Sequence, residues 1–458
     1  GERQQTEVCV RRGEAGRMSR LVVGGLLVSD LQWATGALPI GITALLVGGL
    51  MYLFGIFTPN QVAGAYAKDA VIFIAGVLAM SAGIAKTGLD RRIGLLLLGT
   101  SRSRAMFLFL FLPLLAVCAS FLSEHALIAF IAPILMVVYM ASVRMANITR
   151  DKSLAVMLIL GMCYAANSGG PGSPAAGGRN AVMVGILSDY GVEPTFGQWV
   201  QYGLPFVPVM ALVIAGYFFL RFRKSIKVQK LDAAAIVKEE AKRIGPMTRE
   251  EVLTAFVLLG VIVLWVTSSG SLGMGGPVIL GLIALAVLRI IGWKEINGIS
   301  WDVVALYAGA SAMGKGLATT GAAMWVADVF VHALPPFMQS GEGLCIAVSL
   351  FTGVSTNIMS DGATVSAIGP VAVPMAQASG THPWMVGFAT AFASSFANML
   401  IIGTPNNAIA YTLAKDPDTG EQLVTLGDFL KHGFVVTLLA FVVLWGWTIF
   451  GYWRWIGF

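Results

Sequence analysis

The sequence predicts an all-α polytopic membrane protein built from two inverted-topology repeats, with re-entrant hairpins and broken helices. Three observations predict it. Of 458 residues, 57% are hydrophobic and 12% charged, against about 25% charged in a soluble protein. Long apolar runs recur along most of the chain, and the alternation of a membrane β-barrel is absent. Three landmarks return at nearly one offset: Ala75-Gly76 to Gly88 at Ala308-Gly309 to Gly321 (233), Ser123-Glu124-His125 at Ser360-Asp361-Gly362 (237), and Asn180-Ala181 at Asn407-Ala408 (227).

Taken in order, residues 1–19 form a polar, basic tail without a signal-peptide pattern, and 20–220 form the first repeat. Its hairpin tip is at 123–125 and its helix break at 168–180, where Ser168-Gly169-Gly170-Pro171-Gly172-Ser173-Pro174 cannot stay helical. Residues 221–251 carry seven Lys or Arg from Arg223 to Arg243, with Leu231, Ala235, Ile236 and Ala241 able to share one face, and read as a cytoplasmic amphipathic linker. Residues 252–458 form the second repeat, with a tip at 360–362 and a break at 402–407. Several apolar segments are too short to span, which predicts hairpins that turn back within the membrane. Segment 69–89 exits into Asp90, Arg91, Arg92, Arg102 and Arg104, whereas its counterpart 302–321 is entered from Arg289 and Lys294. Basic loops mark the cytoplasmic side, so the repeats run in opposite senses.

Net charge is +6, but the basic clusters flank apolar segments, which excludes nucleic-acid binding as their purpose. Cys9, Cys118, Cys163 and Cys345 have no metal-ligand spacing. An enzyme is not expected: adjacent Ser123, Glu124 and His125 point to different helix faces and cannot form a triad.

The tips and breaks carry the chemistry. Ser123 and Ser360 suit N-caps, and an acid beside each complements the helix dipole. Alternatively, helix N-termini at both tips face an anion while serine hydroxyls and exposed carbonyls hold a cation. Glu124 and Asp361 are acids in apolar surroundings, where ionisable groups mark function.

Trp33-Ala34-Thr35-Gly36-Ala37-Leu38-Pro39 through Leu45, Lys86-Thr87-Gly88-Leu89-Asp90-Arg91-Arg92, and Gly403-Thr404-Pro405-Asn406-Asn407 resemble motifs of the divalent anion–sodium symporter family. The resemblance covers most of 20–450. It implies an elevator transporter, a homodimer with scaffold and transport domains, in a bacterial inner membrane, moving dicarboxylates, citrate or sulfate with sodium. Position at the tips and breaks, together with the charges there, makes substrate contacts expected at Ser123, His125, Arg179, Asn180, Ser360, Gly362, Thr404, Pro405 and Asn406. Ion coupling is expected at Glu124, Asp361, Ser168, Gly169, Asn357 and Asn407, with Na⁺ at Ser123, Glu124, Ser360 and Asp361. No other cofactor is implied.

This chain departs from the family at both tips. Where Ser-Asn-Thr is usual stand Ser123-Glu124-His125 and Ser360-Asp361-Gly362; Gly36 replaces a Glu, and Ala176-Gly177-Gly178-Arg179-Asn180 replaces Gly-Thr-Pro-Pro-Asn. Two bare carboxylates repel a dianion by several kcal/mol at low dielectric. They are therefore expected to be protonated, cation-bound or turned away, with coupling to H⁺ or Na⁺, and His125 and Arg179 offsetting charge or gripping the anion. The rival expectations are a cation/proton antiporter of the same architecture, and a non-transporting membrane subunit or sensor.

Overall fold

The computed structural model describes residues 20–25, 28–29, 31–32, 37–228, 231, 233–416 and 419–458. The expected tail 1–19 with Cys9, and Trp33 to Gly36 of the first motif, lie outside the described residues. The described chain is all-α; its one β feature is an isolated antiparallel bridge, Lys415 to Gln422. Six described helices are long and apolar enough to cross a membrane, among them Asp69–Thr87, Glu124–Met145 and Arg249–Leu272.

The helices pack in two groups. Ile40–Leu53, Asp69–Thr87, Arg249–Leu272, Gly275–Val287 and Trp301–Thr320 form the first. Asp69, in the first turn of its own helix, turns its carboxylate to the N–H groups of Met274 (2.8 Å) and Gly275 (3.1 and 3.2 Å). It therefore caps the Gly275–Val287 helix as well, supplying the acceptor that a helix start lacks. Lys86 donates to Glu295 in the short Trp293–Asn297 helix (2.7 Å). That bond and the Gly292 N–H hold the Glu295 carboxyl down at about 2.

The second group holds the tips and breaks. The Leu112–Ala119 helix turns at Ser120–Ser123 into Glu124–Met145, and Gly341–Ser355 turns at Thr356–Ser360 into Asp361–Ala378. The helix Lys152–Asn167 is broken and resumes as Gly178–Asp189; Pro383–Ala393 is broken and resumes as Pro405–Leu413. The groups meet where Trp301–Thr320 packs on Gly178–Asp189 and on Asp361–Ala378, and where Lys68 pairs with Asp189.

Corresponding residues do the same work in each half. Gly88 (φ 81°) and Gly321 (φ 71°) end equivalent helices in the left-handed region that favours glycine. Asn180 donates its amide hydrogens to the carbonyls of Gly170 and Ser173 (2.7 Å each). Asn407 donates to Ala397 (2.7 Å) and Leu400 (2.9 Å), at the same sequence separations of 10 and 7. Unwound backbone away from water needs such partners, because each unmet group costs about 1–3 kcal/mol. A Cβ on Gly203 would lie 2.1 Å from the Pro171 carbonyl oxygen, and one on Gly433 2.1 Å from that of Asn398. In each half a later helix, Phe196–Gly203 or Leu426–Val442, therefore rests directly on the unwound chain.

One expectation is corrected. The breaks are shifted: the backbone leaves the α-helix over 168–177, where it makes two 3₁₀ turns, and over 394–404, so Arg179, Asn180, Pro405, Asn406 and Asn407 lie in first helical turns. The second break starts early because side chains take over its backbone bonding. Asn357 donates to Phe396 O (3.1 Å) and accepts from Met399 N (2.9 Å), and Thr437 donates to Phe396 O (3.2 Å). The linker helix, Ala233–Ile244, packs against Leu89–Leu98 and Glu124–Met145. Arg92 clamps its exit, donating to Gly245 O and Pro246 O (3.0 Å each) and to Glu251 (2.8 Å).

Gly203→Ala and Gly433→Ala are each expected to lower stability by about 1–3 kcal/mol, since rigid backbone must move to admit the methyl group. Melting of the purified full chain checks this; unchanged melting in both variants would contradict the close approach.

Candidate functional site

The two tip helices begin alike. Ser123 Oγ accepts from Ala126 N (3.3 Å) and Ser360 Oγ from Ala363 N (3.3 Å), so both serines are N-caps. The cap directs the next residue, Glu124 or Asp361, into the first turn. Each tip is tied to its own break. Ser120 Oγ donates to Gly169 O (2.9 Å), Ser173 Oγ to Ser120 O (2.5 Å), and Thr356 Oγ1 to Ser394 O (2.7 Å).

The first turn after each break then reaches the opposite half. Arg179 Nη1 lies 3.3 Å from Glu124 Oε1 and 2.5 Å from Asp361 Oδ2. Asn406 Oδ1 lies 2.5 Å from His125 Nδ1, and Asn406 Nδ2 donates to Asn167 Oδ1 (2.8 Å). The offset that matches Asn180 to Asn407 also matches Arg179 to Asn406. The two crossings are equivalent in position and different in chemistry.

Glu124, Asn167, Arg179, Asp361, Ser394, Ser395, Ala397 and Thr404 line a narrow, tightly closed crevice. Arg179 and Glu124 are each only 3% exposed. Glu124 Oε2, Arg179 Nε, Ser395 Oγ and Thr404 Oγ1 are buried without a hydrogen-bond partner. Four unmet polar atoms in one crevice form a ligand-shaped deficit, since buried polar groups are normally paired. Among the described residues no group of His, Cys, Asp and Glu has the make-up of a tight metal site. The oxygens that remain, one carboxylate and two hydroxyls, suit a weakly held hard cation.

Tyr307 packs against the first turns that carry Arg179 and Asp361. It comes from the Trp301–Thr320 helix of the other group and is buried. A Cβ on Gly178 would lie 2.0 Å from the Tyr307 hydroxyl, and one on Gly362 3.0 Å. The unusual glycines of the first break and second tip are thus the space in which this ring sits.

Of the residues singled out in the sequence, Glu124, Arg179, Asp361 and Thr404 meet at the crevice, with His125 and Asn406 behind them. Asn180, Asn357 and Asn407 spend their amides on backbone carbonyls, and Ser168 Oγ donates to Ala165 O (2.7 Å). Gly169 contributes a carbonyl to Ser120. Gly362 and Pro405 shape the helix starts. Asn167, Ser394, Ser395, Asn398 and Tyr307 were missed. The 227 offset maps Asn167-Ser168 onto Ser394-Ser395, so the repeat itself carried a signal for those two serines. Asn167 Nδ2 also donates to Asn398 Oδ1 and Asn407 Oδ1 (3.2 Å each), and Cys163 Sγ to Asn407 Oδ1 (3.2 Å).

A family model described as the sodium:sulfate symporter transmembrane region matches residues 20–458. The sodium-dependent dicarboxylate transporter SdcS of Staphylococcus saprophyticus is 25% identical over 441 residues, covering 90% of this chain and 82% of that protein. SdcS of Staphylococcus aureus USA300 is 26% identical over 443 residues, with the same coverage of 90% and 82%. Two solved structures share the fold. Neisseria gonorrhoeae MtrF, placed in a class of antimetabolite efflux pumps, has a TM-score of 0.60 at 15% identity, covering 94% of this chain and 95% of its own. The Alcanivorax borkumensis YdaH transporter has a TM-score of 0.50 at 15% identity, covering 96% and 98%.

Arg179→Ala is expected to cost about 3–5 kcal/mol, because it strands the buried Glu124 carboxylate and the half-buried one of Asp361. Adding Glu124→Gln and Asp361→Asn should recover much of the loss, read as melting temperature. Gly178→Ala is expected to cost about 1–3 kcal/mol by pressing on Tyr307. The double variant with Tyr307→Ala should show strong positive coupling, and strict additivity would refute the contact.

Proposed function

The chain belongs to the family of the sodium:sulfate symporter transmembrane region, and on that premise we propose that it is a sodium-coupled symporter of small carboxylate- or sulfate-bearing anions, working at Glu124, Arg179 and Asp361. The observation that carries this reading is the sharing of one buried guanidinium by two carboxylates.

A guanidinium is suited to carboxylate or sulfate, with charge-assisted N–H donors in a planar fork. In the structure Nη1 of that fork is spent on both of the protein's own acids, while Nε has no partner. An entering anion competes with those acids for Arg179. A buried carboxylate left bare costs several kcal/mol, so anion entry alone is unfavourable. A sodium ion arriving with the anion removes that cost by balancing the displaced charge, and for an amine-free anion Glu124 Oε2 is an oxygen free to receive it. Anion and cation then bind together because neither displaced carboxylate can stay unpaired. Coupling is a consequence of this charge balance.

The reading includes inverted repeats and a transport group, the tips and breaks, sliding against the group that contains Asp69–Thr87 and Trp301–Thr320, which also forms a homodimer. The name of the staphylococcal relatives supports sodium and dicarboxylate as the first pair to test.

Proteoliposomes containing the full chain should accumulate at least one of labelled succinate, sulfate or L-aspartate when an inward Na⁺ gradient is imposed. Glu124→Gln and Asp361→Asn should weaken the dependence on Na⁺. Accumulation driven by a proton gradient alone would replace sodium with H⁺. Cation/proton exchange that persists without any anion would favour an antiporter instead.

A further inference from the structure

We infer that the preferred ligand of the crevice is an amine-bearing carboxylate, an amino-dicarboxylate of the aspartate type, rather than an amine-free dianion; this rests on the transport reading above and names its substrate class.

The argument starts from which atoms lack partners. Asp361 is fully engaged: Oδ1 accepts from Gly362 N (2.6 Å) and Oδ2 from Arg179 (2.5 Å). Glu124 is half engaged, with Oε1 at 3.3 Å from Arg179 and Oε2 buried without any partner. The unmet acceptor therefore belongs to Glu124. The unmet donors are Arg179 Nε and the hydroxyls of Ser395 and Thr404, and all of these residues line the same crevice. Glu124, Arg179, Thr404 and Ser395 are 3–5% exposed, so bulk water does not make up the deficit.

A ligand that completes this crevice must donate strongly to Glu124 Oε2 and accept from Arg179 Nε, Ser395 and Thr404. A carboxylate supplies acceptors only. An ammonium supplies three donors and a positive charge. An α-amino acid carries the two groups one carbon apart. Charge leads to the same class. Two carboxylates and one guanidinium leave one negative charge in excess, and a dianion adds two more. An ammonium on the ligand offsets one of these at Glu124, where the acceptor is free, and leaves sodium to balance the rest. Hydrogen bonds to buried charged groups are the ones whose omission is most costly, which is how a site rejects an analogue lacking a single polar group.

Succinate and L-aspartate share a four-carbon dicarboxylate skeleton and differ by the amine. Binding of each to the purified full chain, titrated calorimetrically at fixed Na⁺, is the test. L-Aspartate is expected to bind about tenfold or more tightly than succinate. Glu124→Gln should bring the ratio of the two affinities close to one, whatever it does to each affinity alone. Succinate bound as tightly as L-aspartate by the wild-type chain overturns this inference and leaves the transport reading intact. A Glu124→Gln variant that shifts Na⁺ dependence equally for both ligands also overturns it, because sodium alone then occupies Glu124. If neither they nor sulfate bind to a protein that melts cooperatively, this inference and the reading beneath it fall together. The wild-type comparison needs no variant to fold.

Discussion

One guanidinium holds the centre of the molecule together. Arg179 lies between acids from two tips that are far apart in the chain, and without it a buried carboxylate, Glu124, and a half-buried one, Asp361, would be left facing each other unpaired. Everything nearby is arranged to deliver this contact: serine caps that start the tip helices, breaks that let the next helix begin at the right depth, and glycines that admit Tyr307.

The breaks themselves are ordered structures. Each is an unwound stretch whose carbonyls are taken up by an asparagine from the helix that follows, at identical spacing in both halves. Water cannot perform that role in a packed interior, and a bilayer offers nothing in its place. The amides of Asn180 and Asn407 are thus committed to holding the backbone. The polar atoms left over sit on Glu124, Arg179, Ser395 and Thr404, and define what a ligand must supply.

Much of this was legible in the sequence, and the physical reason is local. Gly and Pro announce the first break, Ser followed by an acid announces each tip, and a repeated offset joins them. What was illegible depends on long-range contact. The stretch from Ser394 to Ile401 contains neither Gly nor Pro and reads as the tail of an apolar helix. It unwinds because Asn357, Asn407 and Thr437 bond its backbone from elsewhere. Arg179 and Asp361 are 182 residues apart, and no spacing rule joins them. Tyr307 looked like one aromatic residue in a long apolar helix; only its contact with Gly178 and Gly362 gives those glycines a purpose.

The crossings of the two halves, Arg179 to Asp361 and Asn406 to His125, occupy matching positions with unmatched chemistry. The two halves therefore differ in chemistry at their crossings. One crossing brings a permanent cation and the other an amide paired with an imidazole. The cavity has a head and a tail, so a molecule that is itself lopsided can settle in only one direction.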